Sequence, residues 1–390
     1  MPWYTSPTRG RDTLATLLSF PSPQPDMDQV RRYNRDCVPG LLSVATFDNI
    51  TIDGAGNLLA TLRGEGSAKP FLLCFYAATY PQERMADAFS PKVVGGSAYG
   101  IEGECMVGRG TCEQKGALAA MVEAITTFAS HRPALRREVI LAVTVAGEMG
   151  SHEVVDAMLR EHRIAPGAVL VSGVTGHDIS LGNRGRVDVH VEIIGVSCHS
   201  SRPHQGRNAI EGARLFLTRL QKVRFDRVDP DVGGITLTPT HIETWPKAMH
   251  TVPSCCRITL DKRLLPGEEP EDAVQQLRDH VGQLGDFSIE INAGKFNYPG
   301  KSRPDCELVR NARLAVRSVV GQARTFHQTS TLDAGYFIHE GIDTIQMGPG
   351  DPRFAHSDFE LVSLRQVEEA AEYYHRLLWL MCAERSDERG

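Results

Sequence analysis

Short, continuously apolar runs in the first half of the chain constrain its fold more than any other feature. Phe71–Tyr76, Glu138–Ala146 and Ala168–Ser172 each have the length of a strand and little polar content. Strands of this kind occur in parallel sheets whose two faces are both covered. The alanine-rich segment Gly116–Ser130 is helical in character. This alternation of strands and helices predicts an α/β fold with a mainly parallel sheet.

The pattern changes at Arg186. The segment Val187–Ile194 alternates apolar and polar residues, which predicts a sheet with one solvated face. The segments that follow complete a β-α-β-β-α-β order, typical of a ferredoxin-like α+β unit. They are helix 208–223, strands 234–242 and 257–264, helix 270–284 and strand 287–291. The sequence therefore predicts a large domain of residues 1–185 and 295–390, into which a small domain of residues 186–294 is inserted.

Composition and charge argue against several classes of function. The 390 residues, 41% of them hydrophobic, suffice for more than one core. Because 42 basic residues face 48 acidic ones and form no basic block, we expect no nucleic-acid or membrane partner. The polar start lacks an apolar signal core, and no apolar run is long enough to span a bilayer. Nine dispersed cysteines without a C-x-x-C pair indicate reduced thiols, so we expect a cytoplasmic protein.

Five segments, in a fixed order along the chain, carry the candidate chemistry. In the first, Glu113 lies in a glycine-rich turn before the alanine-rich helix, where a helix N-terminus would also favour a negative charge. The segments are Gly108–Gly116, Gly147–Gly150, Gly182–Gly185, Cys198–Ile210 and Gly348–Ser357. Together they resemble the family of acetylornithine deacetylase, succinyl-diaminopimelate desuccinylase, aminoacylase and carboxypeptidase G. The resemblance covers nearly the whole chain.

This resemblance implies amide hydrolysis at a dizinc site in the large domain, with the inserted domain serving as lid and dimerisation domain. In the family, a carboxylate at the position of Glu113 bridges the two zinc ions. One ion is also held at the positions of Glu148 and His356. Two carboxylates and an imidazole, with a fourth position open for water, form a sound zinc site.

The other half of that site is missing from this sequence. Tyr76 and Ala78 stand where the family has a metal-binding histidine and the aspartate that orients it, and Gly173 replaces an acidic ligand. Gly147 replaces the glutamate that serves as general base, a loss of typically ~10²–10⁴-fold in rate. We therefore expect at most one divalent ion per chain, zinc or another metal, or no metal at all.

The substrate side is better preserved. In the family, a histidine at the position of His199 reaches the other subunit's active site and steadies the oxyanion, which implies a homodimer through the inserted domain. Arg263 matches an arginine that clamps a substrate carboxylate, a role suited to its planar, two-pronged donor. Asn208 is readable equally as a substrate contact or as a helix N-cap. His250, where the family often has asparagine, and Thr331, in a turn that lines the family's pocket, complete the substrate-binding set.

These residues predict an amidohydrolase-like enzyme that acts on an amide or related C–N bond of a small, carboxylate-bearing molecule by a non-standard mechanism. Glu113, Glu148 and His199 are the predicted catalytic residues. His152 and His177, beside the changed positions, are alternative metal ligands, although histidines in turns are more often solvated. Two other functions stay open: a catalytically degenerate homologue that binds a ligand or partner, and a biosynthetic enzyme that reuses the pocket for non-hydrolytic chemistry.

Overall fold

The computed structural model describes residues 7–147 and 152–384. The chain divides into two compact units. The first unit comprises Met1–Gly182, Ser302–Phe326 and Glu340–Gly390, and the second comprises Asn183–Lys301 and His327–His339. Within the part of the chain that is described, no helix combines the length and the apolar character needed to cross a membrane.

The helices and strands are numbered in chain order. The helices are α1 (Pro7–Ser19), α2 (Met27–Arg32), α3 (Val38–Leu42), α4 (Gly116–Ser130), α5 (Glu153–Glu161), α6 (Ala209–Leu220), α7 (Pro270–Val281), α8 (Glu307–Val320), α9 (Ala334–His339) and α10 (Leu364–Cys382). The strands are β1 (Asn49–Ile52), β2 (Leu58–Leu62), β3 (Ala68–Tyr76), β4 (Lys92–Gly95), β5 (Glu104–Val107), β6 (Arg137–Thr144), β7 (Ala168–Ser172), β8 (Ile179–Asn183), β9 (Gly185–Ile194), β10 (Cys198–His199), β11 (Val228–Asp229), β12 (Gly233–Gly234), β13 (Leu237–Trp245), β14 (Thr251–Val252), β15 (Cys255–Leu264), β16 (Ser288–Asn297), β17 (Gly300–Lys301), β18 (Thr325–Gln328), β19 (Asp343–Met347) and β20 (Leu361–Ser363).

A mainly parallel sheet organises the first unit. Its strands run in the order β1-β2-β6-β3-β7-β19-β8. The four central strands, β6, β3, β7 and β19, pair in parallel, while β1, β2 and β8 pair antiparallel. Residues Phe71–Tyr76 of β3 and all of β7 are buried, as expected of strands covered on both faces. The α/β fold class predicted from the apolar runs is confirmed.

Helix α4 is the central helix of the first unit. Every residue from Gly116 to Ala129 is buried, so this helix is apolar on all sides rather than amphipathic. Its alanines let α10 pack closely along it. At one end of this contact the rings of Phe128 and Trp379 meet edge to face, with centroids 5.3 Å apart. The helix thereby fixes the turn that precedes it, which carries Glu113.

A small antiparallel sheet, in the order β20-β5-β4, joins two distant parts of the first unit. Val362 lies opposite Met106, and one residue before β20 the Glu360 carbonyl accepts a hydrogen bond from the Gly108 backbone N–H, at 3.1 Å. The loop before β20 is therefore held beside the turn that follows β5. These two segments contain His356 and Glu113.

The second unit is built on a four-stranded antiparallel sheet in the order β13-β15-β9-β16. Along the chain its elements follow the order β9-α6-β13-β15-α7-β16, which is the ferredoxin-like arrangement expected from the sequence. In β9 the alternate residues from Val187 to Ile193 are buried and pack with residues of α6 and α7 in a separate hydrophobic core. The residues between them form a polar face of the sheet.

The division into units differs from the predicted domains at residues 327–339. The sequence assigned them to the large domain, whereas they cluster with the second unit. The reason is close packing: a Cβ on Gly335 would lie 1.8 Å from the Tyr298 carbonyl oxygen, and Thr331 accepts a hydrogen bond from Arg263. Contacts between residues so far apart in the chain leave no local sequence pattern.

Acid should destabilise the first unit through His375 of α10. Burial lowers the pKa of this histidine to about 4, with help from His131 and Arg376. As the pH falls, the unfolded chain binds this proton at a higher pH than the folded chain does. The free energy of unfolding should therefore decrease as the pH falls from the ordinary pKa near 6.5 to about 4. Between pH 6.5 and 5 we expect a loss of roughly 2 kcal/mol, measured by urea unfolding. The variant His375→Gln should remove this loss and the exposed control His241→Gln should keep it; an equal slope in both variants would contradict the assignment.

Candidate active site

The parallel strands of the first unit end at a common edge of the sheet, where several of the candidate residues lie. Tyr76 at the end of β3 is paired with Thr144 of β6, and Ser172 at the end of β7 is paired with Met347 of β19. The next residue after β7, Gly173, approaches Gly348 so closely that a Cβ on Gly348 would lie 2.4 Å from the Gly173 carbonyl oxygen. In open α/β sheets, ligands bind outside the carboxyl ends of the strands.

Two predicted metal ligands are in direct contact. His356 Nε2 lies 2.6 Å from Glu113 Oε1, although the residues are 243 positions apart. Glu113 is buried, whereas the His356 side chain is 41% exposed, so the pair can be reached from solvent on the histidine side. The imidazole stacks on the ring of Tyr80, with centroids 4.5 Å apart and 17° between the planes. The third predicted ligand, Glu148, lies outside the described residues.

A buried ion pair holds the two segments that carry Glu113 and His356. Arg109 Nη1 donates to Glu360 Oε2 at 3.0 Å, and both side chains are fully buried. The other oxygen, Glu360 Oε1, accepts the backbone N–H groups of Cys112 and Glu113 at 3.1 and 3.2 Å. Burial raises the pKa of Glu360, and the Gly110 backbone N–H, the Arg109 charge and the Glu113 backbone N–H oppose that rise. The guanidinium also donates to the carbonyl of Ser357, so one residue positions both segments of the site.

An aromatic ring closes the space beside Gly147, the residue that the sequence predicts to replace the family's general base. Gly147 has φ +152°, a conformation that side-chain-bearing residues rarely adopt. A Cβ there would lie 2.6 Å from Tyr76 Cδ2 and 3.2 Å from Ala78 Cβ. The ring of Tyr76, which the sequence predicts to replace the family's histidine, therefore fills the space into which a side chain at position 147 would extend. The tyrosine at position 76 leaves room only for glycine at position 147.

The contact between Glu113 and His356 brings two possible metal ligands together. Glu113 offers a carboxylate and His356 an imidazole, and their ligand atoms lie 2.6 Å apart, which is a donor set that suits zinc. On the Tyr76 side, a neutral phenol and two glycines offer no comparable ligands. Among the described residues, the three-membered group whose ligand atoms lie within 4.8 Å of one another is Asp53, Glu161 and His162, which is not one of the motif segments.

His177 has a structural role in the first unit. It is buried, its Nε2 lies 3.0 Å from Glu369 Oε2, and its ring meets Tyr373 edge to face at 5.5 Å. Burial lowers its pKa. Cys112 is likewise occupied, because its Sγ donates to the Asp351 carbonyl at 3.1 Å and burial raises the pKa of the thiol. These contacts argue against His177 as a replacement ligand and against Cys112 as a nucleophile.

In the second unit, His199 is exposed with a defined ring orientation. The Ser201 backbone N–H donates to His199 Nδ1 at 3.2 Å, and the Ser201 hydroxyl lies 2.8 Å from the same nitrogen. Because Nδ1 accepts, the neutral imidazole carries its proton on Nε2, as a donor to an oxyanion requires. His250 lies close by: strand β10, with His199, pairs with β14, whose residue Thr251 faces His199.

Arg263 and Thr331 are in contact in the second unit. Arg263 Nη1 donates to Thr331 Oγ1 at 2.8 Å, while Nε and Nη2 grip Asp261 at 2.9 and 3.1 Å. Asn208 is the N-cap of α6, and its Oδ1 accepts from the Ile210 N–H at 3.0 Å. That contact supports the capping interpretation of Asn208 and leaves its amide nitrogen for other contacts.

Three residues of the first unit's site escaped the sequence interpretation: Arg109, Glu360 and Tyr80. Arg109 belongs to the glycine-rich segment, and a charged residue fixed within such a motif was the available signal. Glu360 lies between Phe359 and Leu361, and nothing in this local sequence indicates that its carboxylate pairs with a distant arginine. Tyr80 lies four residues after the strand end at Tyr76, where aromatic character alone predicts nothing about a histidine partner.

Comparisons with known proteins agree with this architecture. The peptidase dimerisation domain of the M20 family matches residues 181–287. Succinyl-diaminopimelate desuccinylase of Dinoroseobacter shibae is 26% identical, over 86% of this chain and 90% of that protein. The protein YgeY of Escherichia coli, whose activity is uncharacterised, is 30% identical, over 66% of this chain and 68% of its own length.

A solved structure extends the likeness to the fold. An M20 family metallo-carboxypeptidase of Sulfolobus solfataricus superposes with a TM-score of 0.74 over 95% of this chain and 99% of that one, at 18% identity. The desuccinylase and the carboxypeptidase are both hydrolases by name. The resemblance seen in the sequence motifs is confirmed, and the chain belongs to the M20 peptidase family.

Proposed function

We propose that the chain is an amidohydrolase that cleaves an amide or related C–N bond of a small, carboxylate-bearing molecule with a single divalent metal ion. Two features of the first unit carry this proposal: the contact between two possible metal ligands, and the filled space beside Gly147. Glu113 and His356 touch at the sheet edge, while Tyr76 fills the space beside Gly147. The membership of the M20 family supports the reaction class, since its named relatives include a desuccinylase and a carboxypeptidase.

Glu113, His356 and Glu148 would hold the ion, which supplies Lewis-acid polarisation and a more acidic water when bound. The carboxylates of Glu113 and Glu148 are the groups available to accept the proton of the attacking water. As the C–N bond breaks, that proton passes to the leaving nitrogen. With no side chain at Gly147, one carboxylate would serve both as ligand and in proton transfer, which makes the mechanism non-standard.

The second unit would contribute the substrate contacts. His199, with its proton on Nε2, would donate to the developing oxyanion, and Arg263 would bind the substrate carboxylate. If His199 works as its counterpart in the family does, it acts in the active site of another subunit. We therefore propose a homodimer that forms through the second unit, where most of the matched dimerisation domain lies. His250 and Thr331, beside His199 and Arg263 respectively, would complete the substrate contacts.

The proposal predicts one tightly bound metal ion per chain. Protein purified without chelator and analysed by inductively coupled plasma mass spectrometry should contain one divalent ion, and Glu113→Gln or His356→Ala should lose it. His162→Gln, which alters the other possible cation-binding group, should retain it. Two stoichiometric ions per chain, or metal lost only in His162→Gln, would contradict the assignment.

Turnover then separates hydrolysis from a binding role. We expect slow, metal-dependent release of amine from a panel of N-acetyl and N-succinyl amino acids, abolished in Glu113→Gln. Rates equal to those of dizinc enzymes would refute the non-standard mechanism. Absence of turnover across the panel, with one ion bound, would refute the hydrolase proposal.

A further inference from the structure

Two arginines lie side by side on the polar face of the sheet in the second unit. In the pairing of β9 with β15, Arg186 faces Arg263, and two positions along, Asp188 faces Asp261. Facing residues of an antiparallel pair project from the same side of a sheet, with Cβ atoms about 5 Å apart. The two guanidinium groups therefore emerge at one place.

Each arginine is held by an aspartate of its own strand. Arg263 binds Asp261 through Nε and Nη2, and Arg186 approaches Asp188 through the same two atoms, at 3.0 and 3.1 Å. Each aspartate thus occupies one edge of its guanidinium, and on Arg263 the Thr331 hydroxyl takes one further donor, Nη1. The aspartates orient the arginines and offset their repulsion, which facing like charges would otherwise suffer.

Unused donors remain on both guanidinium groups. A guanidinium has five N–H donors. Arg263 uses three, two for Asp261 and one for Thr331, so two remain. Arg186 uses two at most, both toward Asp188, so at least three remain. The side chains are 35% and 27% exposed, so an incoming anion can reach them and is partly shielded from water.

We infer that Arg186 and Arg263 form a paired subsite for a ligand with two carboxylates, and that Arg186 determines this specificity. The inference rests on the proposed function and narrows its substrate to N-acyl amino acids with an acidic side chain. Arg263 takes the α-carboxylate and Arg186 the side-chain carboxylate. Each planar guanidinium suits one carboxylate and keeps unused N–H donors after it has bound its own aspartate.

The test uses two probes of nearly equal shape that differ by one charge, N-acetyl-L-glutamate and N-acetyl-L-glutamine. Isothermal titration calorimetry on the metal-loaded protein should show at least about tenfold tighter binding of the glutamate probe, as one charge-assisted contact gives. Arg186→Gln should abolish this preference, because it should weaken the binding of N-acetyl-L-glutamate much more than that of N-acetyl-L-glutamine. Arg263→Gln should weaken the binding of both probes.

Two control variants show whether a change in affinity comes from lost ligand recognition or from altered folding or charge balance. Arg257→Gln changes another arginine of the same polar face, one that is paired with Glu192, and should leave both affinities unchanged. Arg186→Gln/Asp188→Asn avoids an unpaired aspartate and should also lose the preference. No preference in the unmodified protein, a preference that survives in both Arg186 variants, or failure of both probes to bind would overturn the inference. A preference without any turnover would uphold the subsite and refute the hydrolase proposal.

Discussion

Replacing Arg109 with methionine is expected to lower the free energy of unfolding by roughly 3–5 kcal/mol, because it leaves a buried carboxylate without its counter-charge. Glu360 would remain fully buried and still hold the N–H groups of Cys112 and Glu113. The variant also loses the hydrogen bond to the Ser357 carbonyl, next to His356. Chemical denaturation at pH 7 measures the loss, and zinc affinity should fall with it because both segments of the site loosen.

Two further variants test the cause of that loss. Arg109→Met/Glu360→Gln should recover at least half of the stability, since the glutamine oxygen still accepts the N–H groups and no buried charge remains. Arg11→Met removes an exposed ion pair with Glu104, whose side chain is 63% exposed, and should change stability by less than about 1 kcal/mol. If Arg109→Met proved as mild as Arg11→Met, the ion pair would not be the support of the site.

Gly147→Ala is expected to destabilise the first unit by roughly 2–5 kcal/mol, the sum of backbone strain and overpacking. The strain comes from φ +152°, and the overpacking from a Cβ placed 2.6 Å from Tyr76 Cδ2. Gly147→Glu, which would restore the family's base, should fail for the same reasons. Restoring the base therefore requires a smaller residue at position 76.

A double-mutant cycle separates the steric part from the strain. In a Tyr76→Ala background, Gly147→Ala should cost roughly 1–3 kcal/mol less than in the unmodified protein, because the overlap is gone. Gly341→Ala serves as the matched control: its φ is +74° and no atom lies within 4 Å of the added Cβ. Equal losses for Gly147→Ala with and without Tyr76 would show that the ring is not the obstacle.

The sequence predicted those parts of the fold whose periodicity is strong and local. The bounds of α4 and β7 agree with the alanine-rich segment and the apolar run that predicted them. The three-stranded sheet of β4, β5 and β20 was not predicted, because strands of three or four residues carry too little periodicity to distinguish them from loops. Residues 327–339, which the sequence placed in the large domain, cluster with the second unit, because their partners Tyr298 and Arg263 are distant in the chain.

For the site, the order of motifs predicted the identities of candidate residues but not how they are supported. Glu113 and His356 were expected to share a metal site, and they lie in contact. Their support by Glu360 could not be foreseen, since its burial depends on Arg109, 251 positions away. The absence of a base at Gly147 was read from the sequence, whereas its steric link to Tyr76 required coordinates.

The segment 327–339 has a practical consequence for anyone who wishes to isolate the second unit. The backbone passes from one unit to the other four times, after residues 182, 301, 326 and 339, instead of the two passages of a simple insertion. A fragment of residues 183–301 would lack Thr331 and the glycine that packs on Tyr298. Expressed alone, it should present Arg263 without its hydroxyl partner and leave the Tyr298 backbone uncovered. A faithful fragment needs residues 327–339 joined back by a designed linker.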